Sequence, residues 1–159
     1  MKHFALTIIG RDRAGIVSEV TGILYQIGCN IADSSCSILG GQFSMILIIS
    51  HPELSDQQEL GQAFTPLEES GLSVFLRTLN PGGEEHPDLE GDICMISVYG
   101  ADKPGIVYRV ARELGERKVN ITDLNTKLIG DKDSPVYVMM IEAVLNSGTE
   151  VEDVESWVA

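Results

Sequence analysis

The chain has 159 residues, of which 43% are apolar and 22% are charged, a composition that is typical of a folded globular protein and excludes extended disorder. Its net charge is −13 and no cluster of basic residues is visible, which disfavours direct nucleic-acid binding, because such binding needs cations against the phosphates. The apolar runs are too short to span a membrane, and the first residues lack the pattern of a signal peptide. These features predict a cytoplasmic protein.

A segment near the start of the chain occurs a second time, 90 positions later. Residues 10–17 read GRDRAGIV and residues 100–107 read GADKPGIV, and the match continues without a gap to residues 33 and 123. The positions of the first copy that are identical in the second are 10, 12, 15, 16, 17, 20, 24, 30, 31 and 33. Because a repeat of this length sets the unit of folding, the sequence predicts two small domains.

The first copy contains four predicted strands. Each is a run of apolar or alternating residues, and together they are Phe4–Ile9, Asn30–Leu39, Phe43–Ile49 and Leu72–Leu79. The Gly40–Gly41 pair between the second and third strands predicts a two-residue hairpin turn. The third strand is the most apolar, and we expect it to lie in the middle of the sheet.

Two helices are predicted between these strands. Apolar residues recur on one helical face from Ile16 to Ile27, and Gly28 follows where a C-terminal cap belongs. The second helix begins with a capping-box pattern at Ser55 and contains Pro66, which should kink or split it. The order is therefore strand, helix, strand, strand, helix, strand, which is the ferredoxin-like βαββαβ arrangement.

The second copy repeats this order but stops early. Its predicted strands and helix starts are Ile93–Tyr99, a helix from Ile106, Asn120–Leu128, Val136–Leu145 and a helix from Val151. The sequence thus predicts an α+β protein of two ferredoxin-like units with antiparallel sheets and the helices on one face, the second unit lacking its last strand. The expected bounds are 1–80 for the first unit, 81–92 for an acidic linker and 93–159 for the second unit. Either the natural protein continues beyond residue 159, or a partner's edge fills the gap.

The repeated loop lies just before the first helix of each unit, near Gly15 and Gly105. The N-terminus of a helix has unpaired N–H groups and a partial positive charge, which suits a carboxylate or a phosphate. Glycine lets a ligand approach the backbone closely. Pro104 is expected in the first helical turn of the second copy.

Polar side chains that could complete such a site are repeated as well. Asp12 and Asp102 are expected to cap the helices, and Asn30 and Asn120 begin the strand that we expect to return beside the loop. Together these groups could bind a small zwitterion. The alternative remains open that they only form turns and caps, since Asp, Asn and Gly are ordinary in both.

Other chemistry finds little support in the sequence. The chain has an odd number of cysteines, and no two of them form a C-x-x-C pair. We therefore expect three reduced thiols at or near the core, those of Cys29, Cys36 and Cys94. The histidines form no metal-binding pair with each other or with a cysteine, and no catalytic Ser-His-Asp or Cys-His set is marked by spacing. The sequence therefore predicts no enzyme, no metal and no cofactor.

The repeated residues resemble those of the ACT domain. The resemblance lies in the segments D-R-A-G-I-V and D-K-P-G-I-V, each followed by Asn-Ile and an Asp, and it covers nearly the whole chain except the linker. Two such domains in a short chain are similar to the glycine cleavage system transcriptional repressor family. Where ACT domains usually have a proline, the first copy has Ala14.

The resemblance implies that a small amino acid, with glycine or serine favoured, binds at interfaces between ACT units. The implied ligand-binding residues are Asp12, Gly15, Ile16, Asn30, Asp102, Gly105, Ile106 and Asn120. It also implies a protein partner such as a transcription activator, which would itself contact the DNA. The alternative is a ligand-free structural or oligomerisation module. Both hypotheses predict self-association, and we expect a homodimer.

Overall fold

The computed structural model describes residues 2–53, 56–80, 91–101, 104–131 and 135–158, which form two compact units. Within these residues the first unit forms seven helices and strands: β1 (Lys2–Arg11), α1 (Ile16–Gln26), β2 (Asn30–Leu39), β3 (Gln42–His51), α2 (Gln57–Gln62), α3 (Thr65–Glu69) and β4 (Ser73–Leu79). Every strand predicted for this unit is present, although β1 extends two residues beyond the predicted range at each end.

The first sheet has the strand order β2-β3-β1-β4, and all three pairs are antiparallel. This order confirms the ferredoxin-like fold and the central place of β3, which pairs with β1 on one side and β2 on the other. The β2–β3 hairpin turns at Gly40 and Gly41, whose φ angles of 56° and 74° are both left-handed. Only glycine adopts two successive left-handed conformations without steric cost, so the predicted turn is explained by its residues.

The helices pack on one face of this sheet. Alternate residues of β1 and β3 and one face of each helix form a single core, whose largest fully buried members include Phe4, Leu6, Ile8, Ile16, Leu24, Leu47, Ile49, Leu60, Phe64 and Leu67. The apolar residues that recur at every second position along the strands, and about every 3.6 positions along α1, face this core. Burying a Leu, Ile or Phe side chain stabilises the fold by about 1.5–3 kcal/mol.

The predicted second helix is split into α2 and α3. Pro66 lies in the first turn of α3, where its missing N–H is tolerated, and the break falls just before it at Ala63–Phe64. Ser55 lies outside the described residues. The observed N-cap of α2 is Asp56, whose carboxylate accepts a hydrogen bond of 2.9 Å from the backbone N–H of Gln58.

The described residues of the second unit form five elements: β5 (Ile93–Gly100), α4 (Ile106–Glu116), β6 (Asn120–Ile129), β7 (Val136–Val144) and α5 (Val151–Val158). Its described residues form a three-stranded antiparallel sheet in the order β5-β7-β6, as expected for a unit without the last strand. Its core is built like the first, from Ile96, Leu114, Met139 and Ile141 among others. Most of the expected linker, residues 81–90, lies outside the described residues.

The outer strands β2 and β6 are open to solvent. All ten residues of β2 are exposed, and β6 is exposed except at Ile121, which is half-buried. Each strand carries an irregularity in its pairing at the same repeated place, between Ile31 and Asp33 and between Ile121 and Asp123. Because β2 is an outer strand, Cys36 is exposed, which corrects the expectation that all three thiols lie at the core; Cys94 is buried and Cys29 is half-buried.

Helix α1 ends in a left-handed cap, as predicted. Gly28 has a φ of 75°, and the N–H of Cys29 donates to Leu24 O over 2.9 Å, which are features of the Schellman motif. The last turn is fixed further by the His51 ring, whose Nε2 lies 2.8 Å from Ile27 O. Glycine is favoured at position 28 because the chain turns there through a conformation that a Cβ disfavours.

Helix α4 ends in the same way without a glycine. Lys118 takes the left-handed conformation, with a φ of 58°, and the N–H of Val119 donates to Leu114 O over 3.0 Å. The side chain of Asn146 donates to Lys118 O over 2.8 Å. The two units therefore share a backbone motif that different residues support.

Candidate functional site

The repeated loop leads directly into the first helix of each unit. Gly15 is the N-cap of α1 with a φ of 96°, and Gly105 is the N-cap of α4 with a φ of 89°. Neither glycine has a side chain with which to cap its helix. The expectation that Asp12 caps α1 is wrong, because Gly15 holds the cap position, three residues further on. Pro104 precedes the N-cap and lies outside the helix, which corrects its expected place in the first turn. Asp102 lies outside the described residues.

Contacts from other parts of the first unit hold its loop. The N–H of Asp12 donates to Gly41 O over 2.9 Å, which ties the loop to the β2–β3 turn. A Cβ built on Gly10 would lie 2.7 Å from Leu72 Cδ2, so a larger residue at this position would have to displace the Leu72 side chain from the turn before β4. A cleft of about 400 Å³ lies here, lined by Arg11, Asp12, Arg13, Ser70, Gly71 and Leu72.

An ion pair crosses the start of α1. Arg13 binds the Glu19 carboxylate with both terminal nitrogens, over 2.6 and 2.7 Å, and it also donates to Ser70 Oγ over 3.2 Å. The hydrogen bond from Arg13 lowers the pKa of Glu19 below its usual value, and the same bond raises the pKa of Arg13. Both side chains are partly exposed, so the pair contributes little to stability, and its importance lies in where it places charge.

Asn30 does not lie beside the loop of its own unit. In the sheet, Asn30 pairs with Ser50 at one end, whereas Arg11, the last residue of β1 before the loop, pairs with Gln42 at the other end. The 11 residues of α1 separate Gly15 from this end, which is about 16 Å of helix. Asn120 is placed in the same way, opposite Val144. The expectation that this strand starts beside the loop is wrong, because β2 and β6 reach the loop with their last residues.

The side chains of two predicted site residues, Ile16 and Ile106, pack in the hydrophobic cores. The Ile16 side chain is fully buried among apolar residues, and Ile106 is half-buried and packs against the second core. Of Ile16, only the backbone is available to a ligand. The first unit thus brings Asp12, Gly15 and the backbone of Ile16 together and leaves Asn30 apart.

Sequence reasoning missed Arg13, Glu19 and Ser70. A signal for the ion pair was present, because the positions that correspond to Arg13 and Glu19 in the second copy hold Lys103 and Arg109. A reversal of charge inside a repeated motif marks a place where the two copies differ in chemistry. Ser70 gave no signal, since only the fold brings the turn before β4 against the loop.

The fold and the glycine-capped first helices define a class of protein. The family model for the ACT domain matches residues 2–75, and the chain belongs to the ACT domain family. Among curated relatives, the chain is similar to the glycine cleavage system transcriptional repressor of Escherichia coli strain K12, with 26% identity over 122 residues. That match covers 77% of this chain and 63% of the repressor, so the chain spans less than two thirds of that relative's length.

Two further comparisons support the family and the fold. A UPF0237 protein of Methanococcus maripaludis is 36% identical over 82 residues, which cover 50% of this chain and 91% of that protein. The crystal structure of an unknown protein from Galdieria sulphuraria aligns with a TM-score of 0.81 at 24% identity, covering 99% of this chain and 89% of that one. The latter shows that the fold of each unit occurs in a solved structure.

None of the helices in the described residues has the length and apolar character that crossing a membrane requires. No group of three or more His, Cys, Asp or Glu side chains in the same residues is placed to hold a metal ion.

Proposed function

We propose that this chain is a regulatory protein that binds a small amino acid, glycine or serine, where ACT units of two copies of the chain meet. Binding would change how the copies associate and thereby control contact with a protein partner. The similarity to the glycine cleavage system transcriptional repressor supports a partner such as a transcription regulator of glycine metabolism. The net charge of −13 favours a division of labour in which that partner contacts the DNA.

The observation behind the proposal is the separation between two parts of the predicted ligand-binding set, the loop before the first helix and the asparagine after it. The loop with Gly15 and the residue Asn30 lie at opposite ends of one unit, so a single unit cannot place both against a molecule as small as glycine. Two units whose exposed outer strands pair in antiparallel fashion would place the loop of one unit against the asparagine of the other. A ligand bound there contacts both copies and favours the paired state.

The outer strands have the properties that such pairing needs. Strand β2 has ten residues, a length of about 33 Å, and all of them are exposed. An outer strand offers unpaired N–H and C=O groups along one edge, to which a second strand can bind. Ile38 and Leu39, with exposures of 61% and 81%, add apolar surface at the end near the loop.

The proposed groups match the two charges of an amino acid. Backbone N–H groups at the start of a helix suit the carboxylate, and their partial positive charge favours it. A carboxylate such as Asp12 or Asp102 suits the ammonium group, and the amide of Asn30 or Asn120 both donates and accepts. Glycine at positions 15 and 105 leaves the backbone open to a ligand.

A thermal-shift screen against the twenty amino acids tests this proposal. A ligand that binds only the folded state at a hundred times its dissociation constant stabilises it by about 2.7 kcal/mol. We expect glycine or serine to raise Tm, and Asn30→Ala with Asn120→Ala to abolish the shift. Asn80→Ala, an exposed asparagine just after β4, is the matched control and should keep it.

A ligand-free oligomerisation module is the second candidate, and the fully exposed β2 favours it. Sedimentation velocity separates the two functions. A dimer that strengthens with the stabilising amino acid supports the regulatory proposal. A dimer that forms equally with every amino acid, together with no shift in Tm at millimolar concentration, refutes it and supports the module.

A further inference from the structure

We infer that the second unit has a binding site of its own between α4 and α5, which takes a carboxylate with an aromatic body. The site is a cleft of about 500 Å³, and three of the chain's six arginines line it. The described residues that form this cleft all belong to the second unit. The site therefore needs neither a second copy of the chain nor the glycine proposed above.

Part of the cleft is apolar. Val98 of β5 lines it together with Ile106 and Val110 of α4, and of these three Val110 is buried and the other two are half-buried. Trp157 of α5 adds an aromatic ring. Sites for small organic molecules are mostly apolar, with a few polar groups, and have volumes of roughly 300–1,000 Å³. The cleft thus suits a ligand with an apolar body and is larger than glycine requires.

Two of the three arginines in the cleft already have carboxylate partners. Arg117 donates to Glu113 Oε2 over 2.7 Å, and its guanidinium carbon lies 4.6 Å from the centre of the Trp157 ring. Arg112 lies 3.2 Å from the other carboxylate oxygen of Glu113 and 3.7 Å from that of Glu116. The two glutamates balance the charge of these two arginines, so a ligand gains little from them.

The third arginine, Arg109, has no such partner. Its side chain makes no hydrogen bond or ion pair with any residue that the structure describes. Glu155 of the acidic helix α5 lines a different cleft, beside β5. A guanidinium binds a carboxylate through two parallel hydrogen bonds, which are stronger than neutral ones. One unpaired charge matches one carboxylate, whereas a phosphate monoester carries about 1.5–2 negative charges at neutral pH.

The fold does not require charged side chains at these positions. In the first unit the positions that correspond to Glu113 and Arg117 hold Ile23 and Ile27, and both isoleucines pack against the first core. The second unit therefore has charged groups where the first has apolar packing. In a chain of net charge −13, the concentration of half the arginines in one cleft favours an anionic ligand there.

Fluorescence titration of the full chain with phenylacetate tests the inference, because Trp157 lines the cleft and is the single tryptophan. Phenylacetamide replaces the carboxylate by a neutral amide, and acetate lacks the ring. We expect a saturable change with phenylacetate, and binding weaker by about tenfold or more with either of the others. Equal affinity for phenylacetamide would mean that the cleft recognises only the ring, and it overturns the inference. Tighter binding of phenyl phosphate than of phenylacetate overturns the assignment to a single carboxylate.

Two substitutions should change the affinity for phenylacetate in opposite directions. Arg109→Gln should weaken binding about tenfold, because it removes the unpaired cation from an exposed position and keeps the apolar lining. Glu113→Gln should strengthen binding several-fold, because Arg112 and Arg117 then lose the carboxylate that they share. The opposite signs separate a direct effect of charge from a loss of folding, and weaker binding in both variants overturns the inference.

Arg77→Gln is the matched control, since it removes the same charge from an exposed position on β4 of the first unit. It should bind phenylacetate as the wild type does. Equal weakening in Arg77→Gln and Arg109→Gln, or unchanged affinity in Arg109→Gln, refutes the inference. The absence of a saturable change in the wild type at millimolar phenylacetate refutes it as well, and each of these results leaves the glycine proposal standing.

Discussion

Replacing Lys118 by glycine should stabilise the second unit. Among the described residues, Lys118 is the one non-glycine residue with a left-handed backbone, at a φ of 58°. The equivalent position in the first unit holds Gly28, in the same motif at the end of the first helix. The lysine side chain is exposed and makes no ion pair with another described residue, so the substitution changes mainly the backbone preference.

The expected gain follows from two opposing terms. A left-handed conformation costs a residue with a Cβ about 1–2 kcal/mol, and glycine removes that cost. Glycine also makes the unfolded chain more flexible, which offsets roughly 0.5–1 kcal/mol of the gain. The net stabilisation is about 0.5–1 kcal/mol, which should raise Tm by roughly 2–8 °C in a unit of this size.

Trp157 provides the assay. It is the single tryptophan of the chain, and it lies in α5 with the Arg117 guanidinium 4.6 Å above its ring. Its fluorescence during thermal unfolding therefore follows the second unit. Lys118→Ala is the control, because it removes the side chain and keeps the strain, and it should bring no gain.

Gly28→Ala is the reverse experiment in the first unit. The nearest atom to a Cβ built there is His51 Nε2 at 3.9 Å, so space is available and the change should cost only the backbone strain, about 0.5–1 kcal/mol. Circular dichroism can follow this unit. If Lys118→Gly leaves Tm unchanged or lowers it, the argument from left-handed strain is refuted.

Three more predictions address thiol reactivity, helix capping and pH. Cys36 should react with iodoacetamide well before Cys94, because Cys36 is exposed while burial raises the pKa of Cys94 and so lowers its thiolate fraction; peptide mapping of the alkylated sites checks this. Asp56→Ala should destabilise the first unit by about 1 kcal/mol in urea unfolding, because α2 loses its cap. The hydrogen bond from Arg117 lowers the pKa of Glu113, so the pair stabilises the fold above the usual glutamate pKa and loses that effect as the pH falls through the lowered value. Glu113→Gln should therefore lower Tm at pH 7 and match the wild type at strongly acidic pH, as measured through Trp157.

Much of the fold could be predicted because the residues that set it act locally. The Gly40–Gly41 pair specifies its own turn, and Pro66 interrupts the helical segment that contains it. The spacing of apolar residues from Ile16 to Ile27 specifies one helical face. The exposure of β2 was not visible in the same way. Whether a strand is central or outer depends on its neighbours in the sheet, which the sequence of the strand does not contain.

The candidate site was predicted less well, because its residues meet only through the fold. The loop itself was identified correctly as the start of a helix. Asn30 was expected beside that loop, but the antiparallel register places it at the far end of the sheet. The error has a simple cause: the loop precedes the helix and Asn30 follows it, so the length of α1 separates them.

The repeat preserved backbone geometry and changed side-chain chemistry. Gly15 and Gly105 have nearly the same φ, and both outer strands carry an irregularity two to three residues after their start, although most side chains around these features differ. The left-handed backbone at each N-cap favours glycine there. The same backbone conformation does not fix the charge of the residue four positions later. The charge there was free to reverse, from Glu19 to Arg109, without disturbing the fold.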